Sequence, residues 1–97
     1  MSDLIRMTPE EVRASANQYR RQAEAVDGVI GDMDSMLTHL QSQWEGNSSR
    51  SFASRYAELN PGFIKAVELI NEIASALDVA ANTIEKADNR AAGQFGG

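Results

Sequence analysis

Apolar residues recur along this chain at intervals of four and three. The first run is Val12, Ala16, Tyr19, Ala23, Val26, Ile30, Met33, Leu37, Leu40 and Trp44. The second is Phe52, Tyr56, Leu59, Phe63, Ala66, Ile70, Ile73, Leu77, Ala80, Ile84, Ala87 and Ala91. All ten positions of the first template and all twelve of the second are apolar, so no strand pattern competes. Four-three alternation keeps a stripe on one side of an α-helix. The chain therefore reads as all-α, with two long amphipathic helices.

The ends of the helices are marked. Thr8-Pro9-Glu10-Glu11 offers a capping threonine, a proline suited to the first helical position and a glutamate that closes a capping box. Trp44-Glu45-Gly46-Asn47-Ser48-Ser49 breaks the first run. There Gly46 supplies the left-handed conformation that ends a helix, and Asn47, Ser48 or Ser49 can cap the next. Pro61 lies inside the second run, but the register passes from Leu59 to Phe63 without a slip, so one helix kinked near Pro61 is expected. The predicted partition of a single 1–97 domain is helix one over about 8–43, the turn over about 44–48, helix two over about 49–91, and a flexible tail at 92–97. So short a connection makes the helices antiparallel, a helical hairpin.

One stripe per helix is enough to zip a hairpin, and this chain has more. Val29 and Met36 flank the first stripe, and Val67, Leu69, Ala74 and Ala81 flank the second. Left alone, the hairpin would expose a long apolar patch, which marks an interface. Two hairpins packed as a homodimeric four-helix bundle would cover it. The expected hairpin and dimer core is Tyr19, Val26, Ile30, Met33, Leu37, Leu40, Phe52, Tyr56, Leu59, Phe63, Ile70, Ile73 and Leu77. Gly28 and Gly31 fall inside helix one, where each costs about 1 kcal/mol relative to alanine. They read equally as a close crossing at the dimer centre or as a tolerated weak turn.

Length sharpens the need for a partner. Ninety-seven residues make one small domain with a marginal core. There is no cysteine for disulfides or thiolate metal sites, and the single His39 forms no histidine cluster. The net charge of −5 argues against nucleic-acid binding. No apolar run is long enough for stable membrane insertion, and Met1-Ser2-Asp3-Leu4-Ile5-Arg6 lacks the apolar stretch of a signal peptide. Charge also supports antiparallel pairing. Glu24, Asp27, Asp32, Asp34 and Glu45 near the turn would face Arg50, Arg55 and Lys65. Farther out, Arg6, Arg13, Arg20 and Arg21 would face Glu68, Glu72, Asp78, Glu85 and Asp88.

No catalytic, cofactor-binding or metal-binding constellation is evident, so the chain does not read as an enzyme. His39 has no partner residue for base catalysis. Ser48, Ser49, Ser51 and Ser54 sit at a helix start, where capping explains them. Met33 and Met36 read as bundle core.

What stands out is Trp44-Glu45-Gly46 at the midpoint of an uninterrupted helical hairpin of about one hundred residues. With the acidic, cysteine-free composition, the opening Met7-Thr8-Pro9-Glu10-Glu11 and the ending Phe95-Gly96, the chain resembles the WXG100 proteins. These are EsxA-like helical hairpins of type VII (ESX) secretion, and the similarity is to the Gram-positive homodimeric branch. The resemblance implies a virulence-associated or interbacterial factor, exported without a cleavable signal by a machine with a membrane ATPase. It also implies possible partnership with a related WXG100 protein or a larger toxin. Trp44, Glu45 and Gly46 would form the turn motif of the export signal. Many members carry Tyr-x-x-x-Asp/Glu after the second helix, and here the nearest match is Ile84-Glu85-Lys86-Ala87-Asp88, with Ala91 and Phe95 continuing its face. The competing reading is a cytoplasmic adaptor or chaperone that binds a larger type VII cargo.

Overall fold

The computed structural model describes the backbone of residues 7–96 and side chains as far as Ala91. Helix α1 spans Pro9–Gln43 and helix α2 spans Asn47–Gly96. They lie side by side as an antiparallel hairpin with a Cα envelope of 77 × 24 × 17 Å. The radius of gyration is 22.1 Å, against about 12.5 Å for a globular chain of this length. Such a rod has little interior, and most of its burial lies in the seam between the helices.

α1 begins as expected. The Thr8 amide donates to Glu11 Oε1 at 2.8 Å, and the Glu11 amide donates to Thr8 Oγ1 at 3.1 Å. Pro9 occupies the first turn, where its missing N–H is no loss. α2 is longer than predicted at both ends. It starts at Asn47, so the connection is Trp44, Glu45 and Gly46 alone. It also continues past Ala91 to Gly96. One interior glycine weakens a helix without obliging it to stop. Pro61 is likewise inside the continuous helix.

The seam corrects the expected stripe on α2. The buried apolar residues are Val12, Ala16, Ala23 and Ile30 from α1, with Ala74 and Ala81 from α2. Ala16, Ala74 and Ala81 are wholly inaccessible. On α2 the seam follows Phe63, Val67, Ile70, Ala74, Leu77, Ala81 and Ile84, while Ile73, Ala80 and Ala87 of the predicted template are exposed. Residues flanking a stripe by one position are only about 100° away, so a wide apolar face leaves the seam undetermined. The small alanines won because they let the two backbones come close.

Of the expected core, Ile30 is buried. Val26, Met33, Leu37, Tyr56, Phe63, Ile70 and Leu77 are half-buried, and Tyr19, Leu40, Phe52, Leu59 and Ile73 are exposed. Gly28 and Gly31 are exposed too, and a Cβ added to either would meet nothing within 4 Å. Gly28 lies two residues from Val26 and Gly31 two from Val29, and so each is on nearly the opposite side of α1 from that valine. The geometry favours the weak-turn reading.

The charge pattern holds at one end only. Arg13 Nη2 donates to Glu85 Oε1 at 2.6 Å and to Asn82 Oδ1 at 2.8 Å. Arg20 pairs with Asp78. Near the turn, the expected cross-pairing is absent among the described residues. Arg55 and Lys65 pair along α2 with Glu58 and Glu68, each at 3.7 Å, and Arg50 donates to Asn47. Spacing of i,i+3 puts an acid in easy reach on the same helix. Arg6 lies outside the described residues.

Candidate functional site

The turn is built by one aromatic and one glycine. Trp44 leaves α1 in an extended conformation, φ −124° and ψ 103°. Its ring lies 5.7 Å from that of Phe52, centroid to centroid, so the tryptophan staples the end of α1 to the start of α2. Gly46 has φ +106°. Its carbonyl accepts the Arg50 amide at 3.2 Å, so the glycine caps α2 and does not terminate α1 as predicted. Ser49, one of the expected caps, is instead buried in the first turn of α2. Trp44 is half-buried, and Glu45 and Gly46 are exposed.

Beside the turn, Met33, Met36, Leu37, Leu40, Phe52 and Tyr56 line an open apolar groove. Tyr56 lines it and ties the two helices together. The hydroxyl donates to Asp34 Oδ1 at 2.6 Å, and the ring packs edge-on against Phe63 at 6.4 Å. The phenol pKa is raised, first because ionisation would lose the bond to Asp34, then by desolvation and the carboxylate's charge. The groove belongs to a longer uncovered face. Helical spacing puts Tyr19, Val26, Val29, Met33, Met36 and Leu40 along one side of α1, and Phe52, Leu59 and Ile73 along the same side of the hairpin on α2. Met36 is 65% exposed and Ile73 45%.

The candidate C-terminal signal lies at the other end. Ile84 is half-buried, while Asp88 and Ala91 are exposed. Their four-three spacing places them along one side of α2. The Phe95 side chain lies outside the described residues. Gly46 and Ile84 are separated along α2 by about 57 Å at 1.5 Å per residue. One chain thus holds the two halves of the candidate signal apart. Among the described residues, no group of His, Cys, Asp and Glu is placed to hold a metal, and no helix is long and apolar enough to cross a membrane.

An aromatic-stapled Trp-x-Gly turn between two long helices has counterparts. The family profile WXG100, proteins of 100 residues with WXG, matches residues 4–89. The chain belongs to the WXG100 family. This is a family of small helical proteins, not of enzymes. Another similar sequence is the protein YukE of Bacillus subtilis strain 168, 42% identical over 97 residues and matched over the whole of both chains. The type VII secretion system extracellular protein A of Staphylococcus aureus strain USA300 is 26% identical over 93 residues, 96% of each chain. Among solved structures, Geobacillus thermodenitrificans EsxA superposes with a TM-score of 0.80 at 40% identity, over 94% of this chain and 100% of that one. The secreted protein EsxB of Bacillus anthracis shares the fold, with a TM-score of 0.78 at 20% identity, over 88% of this chain and 97% of that one. As a WXG100 protein, the chain has Trp44 and Gly46 at its family-defining turn.

Sequence reasoning found the turn and the uncovered face. It missed the Asp34–Tyr56 bond and the Asn82 contact with Arg13. Their signal was present in the antiparallel register, which sets Asp34 near Tyr56 and Arg13 near Asn82, but hydrogen-bond partners cannot be singled out before the seam is fixed.

Proposed function

We propose that this WXG100 protein is a type VII secretion substrate, exported as a folded homodimer and released as an interbacterial or virulence-associated factor. The observation that carries the reading is the uncovered apolar face. The chain exposes 7327 Å² of accessible surface, about 1,900 Å² more than a globular protein of its mass. The excess follows from the rod shape, and on it Tyr19, Val29, Met36, Leu40, Phe52, Leu59 and Ile73 are exposed. A second hairpin laid along the face would complete a four-helix bundle.

In an antiparallel dimer, Trp44 of one subunit lies near the C-terminal segment of the other. Trp44, Glu45 and Gly46 with Ile84, Asp88, Ala91 and Phe95 then form a composite mark that exists only on the assembled dimer. A membrane ATPase of the export system is the proposed reader. The core proposed for the dimer and hairpin is the set from Tyr19 to Leu77 expected from the sequence.

Trp44→Arg and a chain cut after Ala91 test the mark. Each is expected to abolish appearance of the protein in culture supernatant while sedimentation equilibrium still gives about twice 10.6 kDa. Normal export of both variants would overturn the reading. Retention of the unaltered protein in the cytoplasm, bound to a larger cargo, would support the adaptor reading instead.

A further inference from the structure

We propose that the hairpin is jointed, so that a tip carrying the turn opens as a unit separate from an alanine-seamed stem. The stem is held along its length. Ala16, Ala23, Ala74 and Ala81 are shut in the seam, and Arg13–Glu85 and Arg20–Asp78 bridge the helices beside them. In the tip, residues 32–59, the fully buried alanine seam is missing and the apolar groove stays open.

The boundary between them is weak on both helices. On α1 it is Asp27-Gly28-Val29-Ile30-Gly31-Asp32, a run of poor helix formers. The two glycines serve no visible structural need. Neither has a positive φ, and a side chain at either would find open space. On α2 the boundary is Asn60-Pro61-Gly62. Pro61 has no N–H to give the Ala57 carbonyl, Gly62 is also surrounded by open space, and buried Asn60 Oδ1 has no hydrogen-bond partner. The two weak segments are tied together by position. Tyr56 and Asp34 join the helices. One turn stemward of each stand Asn60 on α2 and Gly31 on α1. A weak line therefore crosses both helices just behind the bond that closes the tip.

Opening at this line parts Tyr56 from Asp34 and uncovers the half-buried Leu37, Trp44 and Tyr56 without disturbing the stem. The device does not depend on how the protein leaves the cell. Hydrogen exchange on the full chain tests it. Protection is expected to step down across residues 28–31 and 60–62, with residues 32–59 exchanging together. Gly28→Ala with Gly31→Ala should slow exchange of the tip by about tenfold and leave residues 70–84 within about twofold of wild type. A smooth gradient of protection falling towards the turn would overturn the joint, because that is simple fraying. Equal slowing of tip and stem would overturn it too, because the hairpin would then open as one body.

Discussion

Tyr56 and Asp34 form the hydrogen bond that closes the turn-bearing end of the hairpin, with the phenol donating at 2.6 Å across 22 residues of sequence. It is the polar counterpart of the alanine seam at the far end. Its consequence is a pH dependence. The Tyr56 pKa is raised in the folded state. The bond therefore contributes fully below the unfolded phenol's pKa, near 10, and is lost as pH rises through the folded value. Thermal midpoints of wild type and Tyr56→Phe, compared between about pH 8 and 11.5, should converge at the alkaline end. A constant difference across that range would separate the bond from the ionisation.

The close seam should reject larger side chains. Ala74→Leu is expected to cost about 2 kcal/mol through overpacking, or roughly 10 °C in thermal midpoint for a domain of this size. Ala57→Leu, on an exposed position of the same helix that helical spacing turns away from both the seam and the uncovered face, should change it by less than about 0.5 kcal/mol. Denaturant titration of the two variants makes the comparison.

Gly46 is a conformational requirement without a steric one. A Cβ there meets nothing within 4 Å, yet φ is +106°. Gly46→Ala should therefore lose about 1–2 kcal/mol. Gly46→Asn should lose less, since asparagine tolerates positive φ better. The same titration reads both.

The uncovered face predicts a change in association without loss of helix. Ile73→Glu puts a charge on an exposed position of the single chain. Circular dichroism should retain the wild-type helical signal. Sedimentation equilibrium should shift towards 10.6 kDa, with the dissociation constant raised at least about a hundredfold, the scale of a desolvated unpaired charge.

How much of this was written in the sequence depends on how local each signal is. Thr8, Glu11 and Pro9 lie within one turn, and their cap was legible in full. The apolar period fixed both helices, and the short connection between them fixed their antiparallel arrangement. It did not fix the seam, because Ile73 and Ala74 are adjacent and both apolar, and only the close approach of the backbones decides between them. Gly46 was recognised as left-handed, but its assignment to the end of α1 failed. The extended Trp44 had already ended that helix, leaving the glycine to begin the next. Arg55 and Lys65 were assigned to the wrong helix because their nearer acids, Glu58 and Glu68, lie only three residues away.

The slender shape has a consequence of its own. A globular chain of this length would be a ball about 32 Å across, and no orientation would make it narrower. The hairpin, with a Cα cross-section of 24 × 17 Å, is narrower than that ball in both transverse directions when presented end-on. Folding this sequence as a rod makes calibre a matter of orientation. Travelling lengthwise, it fits an aperture that would stop a rounder protein of equal mass, and it does so with every helical hydrogen bond intact.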